Sequence, residues 1–259
     1  MLILFIGDAV GAPGCECVRR LLPGFKKHKG VDFCIINGEN SAQGNGILPQ
    51  SAEHLFASGA DLITTGNHAL RRSEIYPVFD GHLPLIRPVN FHREAPGRGW
   101  DILEKRGMRL GVINLMGSMW MDYAENPFDA VDKAVKEIKA QGIGNILVDF
   151  HAEATAEKRA MGFWLDGRVS AVIGTHTHVQ TADEQILPGQ TAYMTDAGMT
   201  GVIHSVLGVD ITKATDRMRT GLPARFEQCT GPCRMEGVLI ETDNKTGRAV
   251  SIERVSLTD

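Results

Sequence analysis

The chain has 259 residues, of which 43% are hydrophobic and 22% charged, and its formal net charge is −4 at pH 7. This composition is ordinary for a globular protein, and the net negative charge argues against a stable complex with nucleic acid. No apolar stretch approaches the length needed to cross a bilayer, and the apolar start MLILFIGD lacks the flanks of a signal peptide. We therefore expect a cytoplasmic protein with no membrane partner.

Short apolar runs that end in small or polar residues recur along the chain, and they predict β-strands. They cover residues 2–8, 32–40, 60–68, 109–117, 145–153, 170–178 and 191–198, with a final pair at 233–243 and 248–255. The connection between the final two, NKTG, predicts a hairpin, because Asn244 and Gly247 are typical turn residues.

Amphipathic segments alternate with these strands and predict helices at 14–29, 49–58, 127–141, 155–165 and 210–220. The clearest is 127–141, which begins at Pro127 and is followed by Gly142. In the first helix, Pro23 is expected to interrupt or bend the pattern. Segment 92–100 is expected to be a surface loop. Alternating strands and helices predict an α/β fold with parallel and antiparallel pairs, in a single domain over 1–259.

The five cysteines are odd in number and accompany no export signal, which predicts free thiols. Cys229 and Cys233 are four residues apart, but no second pair or nearby histidine completes a zinc site. We interpret all five as structural.

Side chains able to bind a metal follow five of the predicted strands. They are Asp8, then Glu39 and Asn40, then Asn67 and His68, then His151, and finally His176 and His178. Each alone has an ordinary structural explanation, such as a helix cap, a turn residue or a core histidine. Because ligands of α/β sheets bind beyond the carboxyl ends of the strands, their joint placement predicts one shared site.

The most specific part of this prediction concerns the two histidines of SAVIGTHTHVQT. In an extended segment, His176 and His178 would lie on the same face, where they could bind one ion or two adjacent ions. The donors are nitrogen and oxygen only, a set that suits Mn, Fe, Co or Zn and not a cysteine-rich structural zinc site. Their number exceeds what one ion needs and favours two.

The order of these residues resembles the calcineurin-like metallophosphoesterases. The usual motifs of that superfamily are, in order, Asp-x-His, Gly-Asp-x-x-Asp, Gly-Asn-His-Asp/Glu, a lone His and Gly-His-x-His. The corresponding residues of this sequence are, in the same order, Asp8, GEN, GNH, a lone His and GTHTH. Within that superfamily, FIGDAVGAPG, NGENSAQGNGI, VDFHAEATAEK, TDAGMTG and TGLPARFE are similar to a bacterial branch linked to hydrolysis of phosphodiesters, notably cyclic nucleotides. The resemblance covers nearly the whole chain and implies a layered β-sheet sandwich flanked by helices.

The resemblance also implies a ligand set. One ion would be held by Asp8, Glu39, Asn40 and His178, and the other by Glu39, Asn67, His151 and His176, with Glu39 bridging. His68 would be a general acid or a phosphate contact. The sequence departs from the superfamily at Val10, where Asp-x-His has its histidine, and at Glu39, where the bridging aspartate would stand. We infer that the Asn40 side-chain oxygen replaces the missing imidazole.

The function expected from this resemblance is a dinuclear metal-dependent phosphodiesterase. The small-molecule partner would be a 2′,3′- or 3′,5′-cyclic nucleotide, attacked by a hydroxide that bridges two Fe or Mn ions, with Zn also acceptable. Alternatives are a phosphomonoesterase and a nucleotide-sensing regulatory protein; an amidohydrolase is disfavoured because its His-x-His pair normally lies on the first strand. A homo-oligomer formed through 116–123 is left open.

Three carboxylates near the histidines, Asp149, Glu153 and Asp183, are expected to accept hydrogen bonds from imidazoles. Arg87 and Arg98 could approach the pocket, but surface positions are the commoner outcome for arginine, and neither is assigned to the site.

Overall fold

A computed structural model shows two β-sheets packed face to face, with helices on both outer faces. The structure describes residues 1–43, 45–223, 225 and 227–259. Gly44, Ala224 and Phe226, which belong to two of the stretches that carry the resemblance, lie outside the described residues. The strands are β1 (Leu2–Ile6), β2 (Asp8–Ala9), β3 (Phe33–Asn37), β4 (Leu62–Thr64), β5 (Trp100–Lys105), β6 (Met108–Met116), β7 (Ile146–His151), β8 (Ala171–Thr175), β9 (Gln185–Ile186), β10 (Ala192–Met194), β11 (Met199–Val202), β12 (Cys233–Thr242) and β13 (Ala249–Thr258). The α-helices are α1 (Gly11–Lys29), α2 (Pro49–Ala57), α3 (Tyr76–Phe79), α4 (Pro127–Ala140), α5 (Thr155–Trp164) and α6 (Ile211–Thr220).

Both sheets combine parallel and antiparallel pairs. The first has the order β2-β11-β12-β1-β3-β4, with β13 paired to β12, and its strands β1, β3 and β4 run parallel. The second has the order β5-β6-β7-β8-β10-β9, with a parallel centre and antiparallel edge strands β5 and β9. The predicted mixed α/β architecture is confirmed.

Three apolar clusters define the layers. Side chains such as Phe5 and Ile173 fill the space between the sheets. Val18 belongs to a cluster between the first sheet and α1 and α2, and Met161 to a cluster between the second sheet and α4 and α5. Because the central strands are buried on both faces, they read in the sequence as continuous apolar runs and not as alternating patterns.

The helices agree with the sequence prediction more closely than the strands do. Four of the five begin and end within one residue of the predicted bounds, whereas α1 begins earlier, at Gly11, and continues through Pro23.

Within the described part of the chain, no helix has both the length and the apolarity needed to span a bilayer. The five cysteines are free, as expected.

Several strands differ from the prediction. Segment 92–100 is mostly loop, but Trp100 already begins β5. The sequence analysis missed β5, the short strands β2, β9 and β11, and the short helices at 73–75 and 76–79. The final hairpin forms between β12 and β13, with Gly247 in the left-handed region at φ 71°.

The two sheets meet at the edge formed by the carboxyl ends of their parallel strands. Asn37, the last residue of β3, donates a hydrogen bond from Nδ2 to Asp149 Oδ2 of β7 across 2.9 Å. Both groups are fully buried, and the hydrogen bond joins one sheet to the other directly beneath the residues that follow these strands. The fold therefore brings loops distant in the chain to one place.

Candidate metal and active site

All eight residues predicted for the site lie where these carboxyl ends meet. Asp8 belongs to β2; Glu39 and Asn40 follow β3; Asn67 and His68 follow β4; His151 ends β7; and His176 and His178 follow β8. Four of them, Asp8, Glu39, Asn40 and His151, are buried and the other four are half-buried. Each contacts at least one other member of the set.

Glu39 lies at the centre of one group of donors. Its Oε2 atom accepts a hydrogen bond from the His68 backbone N–H at 2.9 Å and lies 3.4 Å from His151 Nε2. His151 Nε2 is in turn 3.0 Å from Asn67 Oδ1 and 3.1 Å from His176 Nδ1. Among the described residues, Glu39, His151 and His176 form a group whose ligand atoms all lie within 4.8 Å of one another.

Asp8, Asn40 and His178 form a second, looser group. Asp8 Oδ1 lies 3.6 Å from His178 Nε2, and Asn40 Nδ2 lies 3.2 Å from the same ring nitrogen. Asp8 Oδ1 and His178 Nδ1 are buried without a hydrogen-bond partner among the described residues. Buried polar atoms are almost always paired, so these two atoms are suited to a further partner such as a cation.

The orientation of Asn40 differs from the expectation that its oxygen faces the donors. Its Nδ2 atom donates to Glu39 Oε1 at 2.7 Å, whereas Oδ1 lies 3.0 Å from His68 Nδ1. A ligand role for the Asn40 oxygen therefore requires the amide to rotate about its Cβ–Cγ bond.

The expected extended segment from His176 to His178 is wrong. Strand β8 ends at Thr175, and the backbone then turns through positive φ values of 102° at His176 and 63° at His178. Side chains with a Cβ atom seldom adopt this region, so the turn must be held by its surroundings. Its effect is to aim His176 at His151 and His178 at Asp8.

A buried ion pair holds the centre of this turn. Asp196 Oδ2 accepts hydrogen bonds from the Thr177 backbone N–H at 3.1 Å and from Thr177 Oγ1 at 2.8 Å. The same oxygen accepts from Lys158 Nζ at 2.7 Å, and both charged side chains are at most 1% exposed. The sequence analysis missed this pair, which joins α5 to the segment after β10.

A hydrogen-bonded chain also supports His151 from behind. His151 Nδ1 lies 2.9 Å from Thr175 Oγ1, which donates to Asp149 Oδ1 at 2.7 Å, and Asp149 also accepts from Asn37. Such partners fix the ring orientation and leave the other nitrogen free for a ligand. Asp149 thus acts on His151 through Thr175 and not by direct contact.

The other two carboxylates predicted to accept hydrogen bonds from imidazoles have different outcomes. Glu153 Oε2 lies 3.1 Å from His176 Nε2, as expected, but Asp183 accepts from Thr181 and Thr195 instead of a histidine. Arg87 is buried, contrary to the expected surface position, and donates to backbone carbonyls. Arg98 pairs with Asp101 at 2.5 Å.

The close approach of these groups requires glycine at position 66. A Cβ atom on Gly66 would overlap the His151 ring and lie 2.6 Å from Glu39 Oε2. This explains why the loop after β4 carries glycine immediately before Asn67 and His68.

The electrostatics couple the carboxylates and imidazoles. Burial alone would raise the pKa of Glu39, but the adjacent His151 and His68 rings outweigh it and hold the pKa well below its usual range. Burial would likewise lower the pKa of His151, but Glu39 and Asp8 raise it to about 9. For His176, burial and the neighbouring His151 lower the pKa to about 4. Burial raises the pKa of Asp149 to about 7.

His68 is partly accessible, with 24% of its side chain exposed. Its Nδ1 atom lies within 3.1 Å of both Glu39 Oε1 and Asn40 Oδ1, which leaves Nε2 for proton exchange with a ligand. A cleft of about 360 Å³ opens here, lined by Glu39, Asn40, His68, Glu153, His176, Thr177, His178 and Leu207. A small ligand in this cleft would meet most of the predicted donors at once.

Comparison with known proteins supports this description along the whole chain. A 2′,3′-cyclic-nucleotide 2′-phosphodiesterase of Bacillus subtilis (strain 168) is 46% identical over 259 residues, covering 100% of this chain and 98% of that protein. A crystal structure described as a novel phosphatase from Mycoplasma pneumoniae matches with a TM-score of 0.92 and 30% identity, covering 100% of this chain and 93% of that one.

More distant likeness extends to a 5′-nucleotidase precursor from Thermus thermophilus, with a TM-score of 0.59 over 99% of this chain and 54% of that one. At 11% identity this match concerns the fold alone. It agrees with the layered metallophosphoesterase-like sandwich expected from the motifs. The family model for YmdB-like proteins matches residues 4–255, and the chain belongs to this family.

Proposed function

We propose that the chain is a metal-dependent phosphodiesterase of cyclic nucleotides, with 2′,3′-cyclic nucleotides as the first candidates. The observation that carries the proposal is the convergence of buried and half-buried nitrogen and oxygen donors from five strand ends beneath a cleft with His68 in its wall. The Bacillus subtilis relative, which is named for this reaction and matches over 98% of its length, supports the choice of substrate.

Two ions would be held by the two donor groups, with Glu39 shared between them. The first set would be Asp8, Glu39, Asn40 and His178, and the second Glu39, Asn67, His151 and His176. The unpaired buried atoms Asp8 Oδ1 and His178 Nδ1 and the close Glu39–His151–His176 group fit such ions. We propose Fe or Mn, with Zn acceptable to the same donors. When bound, the ions would lower the pKa of water toward about 7 and offset charge on the phosphoryl oxygens.

The protein's own residues would then orient the phosphodiester and move a proton. His68, whose Nδ1 atom faces Glu39 and Asn40, would deliver a proton from its Nε2 atom to the departing oxygen. Thr175 and Asp149 would keep the His151 ring fixed during turnover. No covalent intermediate on the chain is needed.

The test uses metal-stripped protein reloaded with Mn²⁺, Fe²⁺ or Zn²⁺, incubated with 2′,3′-cyclic AMP and followed by phosphorus NMR. We expect Asp8→Asn to lose bound metal and activity together. His68→Ala should keep its metal while turnover falls by about 10²–10⁴-fold. His28→Ala, an exposed histidine at the end of α1, is the control and should match the wild type. Equal loss of metal in Asp8→Asn and His68→Ala would contradict the proposed division of roles.

A phosphomonoesterase is the second candidate, favoured by the phosphatase description of the Mycoplasma pneumoniae structure. Comparing bis-p-nitrophenyl phosphate with p-nitrophenyl phosphate in Mn²⁺ separates the two, because a diesterase should hydrolyse the first faster. Tight nucleotide binding without turnover in metal-replete protein would instead indicate a nucleotide-sensing regulatory protein.

We also propose that residues 1–259 form one domain and that the protein works in the cytoplasm, which the five free thiols support. Homo-oligomer formation stays a prediction. Trp120 and Tyr123, in the segment 116–123, are 82% and 90% exposed, and light scattering of the purified protein would measure whether copies associate.

A further inference from the structure

A tight turn at residues 206–209 closes over the edge of the site. Val206 and Val209 pair with each other, while Leu207 and Gly208 take positive φ values of 53° and 92°. Val209 also pairs with Gln228, and the Cys229 N–H donates to the Gly208 carbonyl at 3.2 Å. These contacts fix the turn, and Leu207 stands at its tip with 45% of its surface exposed.

The turn packs directly on Val10, the residue at the position of the missing histidine. A Cβ atom on Gly208 would lie 2.6 Å from Val10 Cγ1. Between Val10 and the turn lies a cleft of about 250 Å³ that reaches His178. Its walls combine apolar Val10, Leu207 and Val209 with the amide side chains of Gln43, Asn45 and Gln228. The one carboxylate in the wall, Glu227, is paired with Lys213.

Gln228 supplies an independent indication of a ligand. Its Nε2 atom is buried and has no hydrogen-bond partner among the described residues. The side chain packs so closely against Gly11 that a Cβ atom there would overlap the amide. A buried amide donor without an acceptor is rare in native proteins and is commonly explained by a water, ion or ligand.

A neighbouring cleft of about 530 Å³ also reaches His178 and Leu207, but its two arginines are already paired with carboxylates. Arg234 contacts Glu236 at 3.2 Å, and Arg254 Nε donates to Glu184 at 2.7 Å. The smaller cleft, with its unpaired donor, is therefore the better receptor for an uncharged group.

We propose that the cleft between Val10 and the 206–209 turn binds the nucleobase of the substrate. This inference rests on the proposed function and adds the subsite that recognises the substrate. A base has flat apolar faces, which suit Val10 and Leu207, and an edge with hydrogen-bond acceptors. One of these would pair with Gln228 Nε2 after the amide turns from Gly11 toward the cleft. The volume lies just below the roughly 300 Å³ at which pockets for drug-sized ligands begin, so it suits a base better than a whole nucleotide.

The proposal carries a prediction about selectivity. All four natural bases have acceptors on their edges, so a single amide donor would recognise the presence of a base without strongly choosing which one. The site should therefore distinguish nucleoside cyclic phosphates from cyclic phosphates that lack a base.

The test compares 2′,3′-cyclic AMP with propane-1,2-diol cyclic phosphate, a cyclic diester without a base, in Mn²⁺-loaded protein. In Gln228→Leu, kcat/KM for the nucleotide should fall by about tenfold through KM, as expected for loss of one hydrogen bond. Turnover of the base-free diester and the manganese content should be unchanged. Gln141→Leu, at the exposed end of α4, is the matched control.

Two further measurements keep the test decisive. Leu207→Ser alters only an exposed turn tip and should raise KM for the nucleotide without affecting folding. Saturation-transfer NMR of adenosine with protein that has been stripped of metal by a chelator should show contact at the adenine protons in the wild type. The contact should be weaker in Gln228→Leu.

Equal losses for both substrates, or none for either, would overturn the nucleobase proposal. A KM effect in Arg254→Leu and not in Gln228→Leu would also overturn it, by placing the base in the neighbouring cleft. If wild-type protein hydrolysed neither diester, the proposed function would fail, while the adenosine measurement would still decide whether the cleft binds a base.

Discussion

Removing Lys158 should destabilise the protein strongly and disturb the histidine turn. In Lys158→Met, the buried carboxylate of Asp196 loses the cation 2.7 Å away while keeping its hydrogen bonds from Thr177. Removing one partner of a buried ion pair costs about 3–5 kcal/mol, because the other charge is left uncompensated. For a protein of this size, the midpoint of thermal unfolding should fall by about 6–20 °C.

The measurement is equilibrium urea unfolding of metal-free protein, followed by circular dichroism and repeated on two comparison variants. Lys213→Met removes a lysine whose ion pair with Glu227 is largely exposed, and it should change the free energy of unfolding by less than about 1 kcal/mol. The double variant Lys158→Met/Asp196→Asn removes both buried charges and should be more stable than Lys158→Met alone.

The same variants should bind manganese differently. Because Thr177 stands between His176 and His178, loosening Asp196 should weaken metal binding in Lys158→Met but not in Lys213→Met. A loss of stability no larger than that of Lys213→Met, or a double variant less stable than the single one, would refute the reasoning.

Three other outcomes follow from the site and its surroundings. Adding Mn²⁺ to metal-free protein at pH 7.5 should release protons, about one of them from His151, because the pKa of His151 is raised to about 9 and a ligand must be neutral. Calorimetry in buffers of different ionisation enthalpy measures the release, and no release would contradict the raised pKa. Gly66→Ala should abolish metal binding through overlap with His151 and Glu39, whereas Gly24→Ala, on the exposed face of α1 where a Cβ atom meets nothing, should not. Burial raises the pKa of the Cys34 thiol to about 12, so its thiolate fraction at pH 8 is about 10⁻⁴. Iodoacetamide should therefore label Cys34 only after denaturation. Rapid labelling of the native protein, measured by mass spectrometry, would argue against that burial.

The sequence predicted the site better than it predicted the edges of the sheets. The buried parallel strands end in polar residues, and the rule that ligands bind beyond their carboxyl ends was enough to bring Asp8, Glu39 and His151 together. Strands β2, β9 and β11 have two to four residues, too few to show a period, and their positions depend on pairing with distant strands. Strand β5 lies at a sheet edge and is only partly buried, which weakens its apolar pattern.

Features set by distant contacts could not be predicted. The prediction that β8 extends through His178 is wrong because Asp196 and Lys158 hold the backbone in a turn there. Asp196 follows β10 in the chain, and Lys158 lies in α5. Neither residue has a local signal, since a buried lysine is indistinguishable from a surface lysine in a helix. The same is true of Gln228, whose unpaired donor appears only once the fold is formed.

The amide of Asn40 links the proposed metal ligands to the proposed acid. Its oxygen now faces His68 Nδ1, and its nitrogen faces Glu39 and His178. If the oxygen is to bind an ion, the amide must rotate by about 180°, and its N–H would then face His68 Nδ1. That hydrogen bond would require an unprotonated Nδ1, so Glu39 Oε1, which now lies 3.1 Å from Nδ1, would have to turn toward the ion. The proton of a neutral ring would then lie on Nε2, the atom proposed to protonate the leaving group. A carboxylate at position 40 could bind an ion equally well, but it could not donate a hydrogen bond to His68. This gives a physical reason for an amide at position 40 in a chain that lacks the superfamily's histidine at position 10.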